Sequence, residues 1–194
     1  MTSRLVRSEK NAIASIATWV KANVVSAYPN WSFTNQNYEQ AWGQSPVISV
    51  TQRPMPELLT GFFGDYIGKS AGGTDQWGTI HQFMLEFNLM AVDDDVNRGA
   101  EQQVGLMREK LWDQLWYAGQ LDENSNALAP NIQLLDFDTN PSSPQPTGSY
   151  IWWPNEETNT WMETPLKVDS SDLMKKRIQV MVRFRWISFR QPGE

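Results

Sequence analysis

Residues 174–189 read MKKRIQVMVRFRWISF. Ile178, Val180, Val182, Phe184 and Trp186 alternate with Arg177, Gln179, Arg183 and Arg185, the period-two pattern of a strand with one apolar face. Sixteen extended residues reach roughly 50 Å at about 3.3 Å each. A compact domain of this chain's length is only about 40 Å across, so the strand bends or one end projects beyond the body. A projecting strand invites pairing with a neighbouring subunit. Arg177, Arg183 and Arg185 share the polar face, which is therefore not the core. They are candidates for bidentate pairs with a neighbour's acids, set against the plainer reading of a solvated strand face whose charges contribute little.

Upstream of that strand, Phe83, Leu85, Phe87, Leu89 and Ala91 face one way, and Gln82, Glu86 and Asn88 the other, predicting a second half-buried strand from Ile80. Asp93–Asp95 end it, with one of them capping the next helix, whose stripe is Val96, Ala100, Val104, Met107, Leu111 and Leu115 and whose stop is Gly119. Nearer the N-terminus, Ile13, Ile16, Val20 and Val24 predict an amphipathic helix over about Ser3 to Ala27, stopped by Pro29. Short strands are expected at Trp31–Thr34, Pro46–Arg53 and Ile132–Phe137. Tyr150–Trp153 and Thr160–Glu163 are expected to pair as a hairpin across Asn155–Asn159. Residues 54–79 hold six glycines with little periodicity and read as a long glycine-rich loop. The cost of ordering such a loop makes Gly64, Gly68 and Lys69 candidate partner contacts. Residues 140–173 read as a tryptophan- and proline-rich insertion. The whole is an α+β chain, 1–194 as a single domain, with two main helices on a mixed, mostly antiparallel sheet.

Composition narrows the function classes. The 194 residues contain no cysteine, which excludes disulfides and thiolate chemistry and fits a reducing cytoplasm. No apolar run approaches the length needed to span a bilayer, so no membrane partner is expected. Arg4, Arg7 and Lys10 ahead of a moderately apolar stretch resemble a signal peptide, but Glu9, Asn11 and Lys21 interrupt it. A formal charge of −6 argues against a general nucleic-acid binder. The charge is unevenly placed: residues 122–172 carry nine acidic residues against Lys167 alone, whereas 174–190 carry six basic residues and no acid. Such separation suggests surfaces that meet oppositely charged neighbours, including other copies of the chain.

Catalytic motifs are weak. GDYIGKS at 64–70 resembles a phosphate-binding loop, but the glycine required five positions before Gly68 is Phe63. His81 is the only histidine and has no GxSxG elbow to serve. Asp136 and Asp138 share a strand face and fit either a divalent metal or an acid/base pair, against a strand simply running out into solvent. Asp93–Asp95 lack the spacing and glycine of a calcium loop. Of the ten tryptophans, Trp112 and Trp116 sit at helical spacing and read as core or the edge of it. Trp152, Trp153 and Trp161 lie in a loop-rich acidic stretch, where exposed indoles stack on sugars or serve as protein–protein hot spots.

In element order and in local text, the chain resembles the bacteriophage tail terminator proteins. The likeness rests on PVISV before the long loop, HQFMLEFNLMAVDD running into NRGAEQQVGLMREKLWDQLW, and KKRIQVMVRFRWISF near the terminus. It covers roughly residues 1–138 and 174–189; the 140–173 insertion departs from the minimal pattern. The resemblance implies a structural virion protein at the head–tail junction, made in the host cytoplasm. It implies a homo-oligomer, a hexameric ring, that stops tail-tube polymerisation and joins the tail to the head connector. Its partners would be the tail tube protein, the connector or stopper protein and, in some tails, a sheath. DNA would pass through the ring without specific binding, repelled by an acidic lumen. The resemblance carries no catalytic residue, metal or cofactor. The alternatives are another neck or tail-completion protein and, from a different class, a carbohydrate-binding module built on Trp152, Trp153 and Trp161.

Overall fold

The computed structural model describes residues 9–35, 38–53, 60–69, 73, 75–93, 99–154, 160–166 and 175–189. Along the chain these form α1 (Glu9–Val20), β1 (Ser32–Thr34), a short α2 (Tyr38–Ala41), β2 (Val47–Arg53), β3 (Thr60–Lys69), β4 (Asp75–Val92), α3 (Ala100–Trp116), β5 (Ile132–Asp136), β6 (Gln145–Trp152), β7 (Trp161–Leu166) and β8 (Lys175–Phe189). The fold is α+β, with one mixed, largely antiparallel eight-stranded sheet.

β4 and β8 are its spine. They run antiparallel in unbroken register from Gly78↔Phe189 to Val92↔Lys175, so the long basic strand is matched along its whole length. Each spine strand is long enough to take two shorter strands end to end on its outer edge. β2 and then β3 lie along β4, and β7 and β6 lie along β8. β1 pairs parallel with β2, and β5 antiparallel with β6.

Two expectations are corrected here. Residues 60–69 and 75–79, expected within a glycine-rich loop, are strand: β3 and β4 form a hairpin whose connection includes Gly73 at φ +80°. Its register shifts between Tyr66 and Gly68, and a bulge of that kind erases the period-two pattern by which a strand is recognised. Residues 54–59 of the expected loop lie outside the described residues. The expected hairpin of Tyr150–Trp153 with Thr160–Glu163 does not form either. Both segments reach for the same edge of β8 instead, Ile151 opposite Trp186 and Trp161 opposite Val182, which is available because β8 is so long.

Helix α1 begins within the described residues at Glu9 and continues past Val20 as a π-helical turn, Lys21–Val25, with Ser26 N donating to Lys21 O. The expected start at Ser3 lies outside the described residues. Polar contacts fasten α1 to the β5 region: Leu135 N donates to Ser15 Oγ, Trp19 Nε1 to the Pro130 carbonyl, and Asn11 Nδ2 to Asp138. At α3 the residue preceding the helix is Gly99, and the first helical N–H, of Ala100, is taken by the Asp93 carboxylate. Gly119, at φ +76°, follows the end of α3 as expected.

The alternation in β4 and β8 decides which face is covered. Phe83, Leu85, Phe87, Val180, Val182, Phe184 and Trp186 form one buried cluster with Ile16 and Val20 of α1 and Val104, Met107 and Leu111 of α3. Both helices therefore lie on the same face of the sheet.

Candidate interaction surfaces

On the opposite sheet face, cross-strand pairing sets Arg177 beside Met90, Met181 beside Glu86, Arg183 beside Met84 and Arg185 beside Gln82. This face is neither a core nor wholly wet. At its β1-side end, Ala41 and Trp42 cover Val47 and Met90, and Lys175 Nζ lies 5.6 Å above the Trp42 ring. Next along, Arg177 donates through Nε (2.9 Å) and Nη2 to Asn88 Oδ1, while Asn88 Nδ2 donates to Glu86 Oε1 at 2.9 Å. Arg177 Nη2 is 3.7 Å from Glu86 Oε1, and Asn88 and Glu86 are both buried.

The expectation that Arg177, Arg183 and Arg185 form one outward contact face is corrected by this geometry. Arg177 is committed to its own chain, because a buried Glu86 requires a charged partner. Arg183 and Arg185 are half-buried, their stems lying among Met84, Met181 and Trp152. Arg183 Nε is buried and finds no hydrogen-bond partner among the described residues.

Strand β6 supplies the rest of this surface. Ile151 turns to the core, so Tyr150 and Trp152 turn to the second face, next to Arg185. Tyr150 is 51% exposed. Met162, opposite Met181, completes a half-exposed group of three methionines with Met84. Sequence reading missed Tyr150 and the methionines, although the Tyr-Ile-Trp-Trp alternation was the signal that separates the two faces of β6.

The tryptophans expected to act together are divided by the sheet. Trp153 and Trp161 lie on the helix side and pack with Trp112 and Trp116 at centroid distances of 4.8–5.9 Å. Most of those contacts are edge-to-face, so the rings occupy one another's faces. Trp161 Nε1 donates to Glu163 Oε1, which belongs to the carboxylate paired with Arg108. Trp152 is on the other side of the sheet, so the three do not make a common flat platform for a sugar.

Where this cluster reaches the surface, a second apolar patch appears. Trp116, Tyr117, Leu121 and Leu128 are all exposed. The loop after α3 folds back on the helix end through Leu128 N to Gln120 O and Gly119 N to Ala129 O. Asp122 caps the loop, accepting from Asn126 and Asn124, and those hydrogen bonds, Asn126 foremost, hold its pKa below the usual aspartate value.

The remaining candidates are simpler. Gly64, Gly68 and Lys69 lie on extended β3, with Gly68 opposite Gln76 and Lys69 opposite Asp75. Extended backbone there is not the turn-to-helix cradle of a phosphate loop. Asp136 accepts from the backbone N–H groups of Asp138 and Thr139 and from the Thr139 hydroxyl, while Asp138 accepts from Asn11; each carboxylate has its own structural use. Among the described residues, no three His, Asp or Glu side chains gather as a metal site. His81 stacks on Trp186 at 4.1 Å, and burial pushes its pKa down. A cavity of about 200 Å³ lies between Tyr28, Trp31, Pro46, Gln103 and Leu106, smaller than the roughly 300 Å³ at which small-molecule pockets begin.

No protein-family model matches the chain, and comparison with curated proteins also found no match.

Proposed function

We propose that this chain is a structural virion protein that assembles as a ring on the end of a phage tail tube, halts its growth and joins the tail to the head connector. The observation that carries the reading is the β3–β4 arm. β4 continues through Asp75–Trp77 past Phe189, the last residue of β8, and there pairs with β3 alone among the described residues. Trp77, on that extension, is 46% exposed. A two-stranded arm is marginal by itself, and a neighbouring chain laid along it would bury Trp77. The half-buried arginines of the second sheet face add a surface suited to protein contact. These features accord with the resemblance in text and element order to tail terminators.

Mechanistically the activity is surface complementarity. One ring face imitates a tube subunit closely enough to bind the last tube ring, and the other differs and accepts no further subunit. DNA slides through the centre, repelled from an acidic lining.

The test is to add the purified chain to polymerising tube protein of the same virion and measure tube lengths by electron microscopy. Shortened tubes with a ring density at one end are expected. Unchanged lengths and bare ends at saturating protein overturn the proposal.

A further inference from the structure

Two surfaces on opposite sides of the sheet are incomplete in a single chain and complementary to one another. The first is the second sheet face, with Tyr150, Trp152, Met84, Met181, Arg183 and Arg185. Aromatic residues, methionine and arginine are the types enriched at protein interfaces. The buried Arg183 Nε, without a partner among the described residues, lacks an acceptor there. β8, which carries both arginines, has no acidic residue.

The second surface is the patch at the end of α3, on the helix side, where Trp116, Tyr117, Leu121 and Leu128 are exposed. Its surroundings are electronegative for two independent reasons. Residues 111–166 contain no lysine or arginine, while Asp113, Asp122 and Glu123 flank the patch. The last turn of α3 also has no basic side chain to offset the negative end of its dipole.

We infer that the partner of this protein is a second copy of itself, bound head to tail. The Arg183–Arg185 sheet face of one copy lies against the acidic, aromatic end of α3 on the next. The two surfaces cannot meet within one chain, because the sheet and its core separate them. An interface of two different patches repeats from copy to copy, and it makes a ring when the rotation closes. The inference deepens the ring reading and rests on it for closure; the pairing of the two patches stands on their own chemistry. Leu121, at 61% exposure, gains an apolar partner in the methionines, and Arg183 gains a carboxylate acceptor.

The experiment uses two full-length variants, each broken on one side. Variant one is Arg183→Glu with Arg185→Glu; variant two is Leu121→Lys with Glu123→Lys. Sedimentation velocity is run on the wild type, on each variant and on their equimolar mixture, with thermal melts to establish that both variants fold. The wild type associates with rising concentration. Each variant alone associates about a hundredfold more weakly, the scale expected when like charges are juxtaposed. In the mixture both contacts regain opposite charges: the second variant's basic face meets the first variant's acidic patch, and the first variant's acidic face meets the second variant's basic patch. The mixture therefore recovers association toward the wild-type size. A wild type that stays monomeric to about 1 mM, the affinity limit of a weak complex, overturns the inference. So does a mixture that remains monomeric. Association of this kind without any effect on tube growth defeats the function and keeps the interface; tube capping by a chain whose variant mixture stays monomeric does the reverse.

Discussion

Arg177 Nη2 lies 3.7 Å from Glu86 Oε1 across the β4–β8 pair, and Asn88 bridges the two by hydrogen bonds to both. Arg183, on the same face of the same strand, has a buried Nε with no partner among the described residues. One face thus holds one arginine committed to a buried pair and one whose Nε is not.

That division gives opposite outcomes for substitution. Arg177→Ala strands a buried carboxylate and lowers stability by about 3 kcal/mol, read as a shifted denaturant midpoint. Arg183→Gln with Arg185→Gln, which strands no buried carboxylate, lowers stability by about 1 kcal/mol, less than Arg177→Ala, yet weakens self-association and tail joining. Equal midpoints for Arg177→Ala and wild type contradict the buried-pair account.

Stability also depends on the protonation of His81. Burial against Trp186 holds its folded pKa below the ordinary value, so between the two values the unfolded chain binds more protons. Stability is then complete above about pH 6.5, the unfolded value, and falls as pH drops toward the folded value. His81→Phe keeps a ring on Trp186 and removes the titration. The pH dependence of the variant's melting temperature should be flatter than wild type just below about pH 6.5, an effect that no other histidine can account for, since there is only one. Identical slopes for the two proteins refute the assignment.

Adjacent tryptophans on β6 and just beyond it should behave unlike each other. Trp153, 7% exposed within the indole cluster, costs about 4 kcal/mol on truncation to alanine and takes most of the near-ultraviolet circular dichroism with it. Trp152, on the other sheet face, costs about 1 kcal/mol and leaves that spectrum intact. Similar losses from both contradict the placement of the two rings on opposite sides of the sheet.

The spine of the fold was legible because β4 and β8 bury one face against helices, so Phe83 to Ala91 and Ile178 to Trp186 alternate without interruption. Helix α3 was equally readable from its stripe of Val104, Met107, Leu111 and Leu115. β3 was not, because Gly61, Gly64 and Gly68 thin its side chains and a register shift breaks its period. β6 and β7 were paired with each other by proximity in sequence, the usual preference, where a long β8 edge offered both a better partner. The position of Arg183 and Arg185 on the second sheet face was legible from alternation alone. The pairing of Arg177 with Asn88 and Glu86 was not legible, since it depends on the cross-strand register that brings them within reach.

Gly119 tests the end of α3. Its φ of +76° is a left-handed conformation, and a Cβ there would meet Asn131 Oδ1. Gly119→Ala is expected to cost about 2 kcal/mol, with Asn131→Ala in the same chain recovering the steric part and leaving about 1 kcal/mol of backbone strain. Chemical denaturation of the single and double variants measures both parts. A Gly119→Ala chain as stable as wild type contradicts the left-handed turn.

The central claim, that the chain closes a ring on a tail tube, is met most directly by native mass spectrometry of the protein with the tube protein of the same virion. The account predicts a complex containing a closed ring, hexameric as in the proteins the chain resembles, and bound to tube subunits. A dimer that persists unchanged beside the tube protein contradicts it.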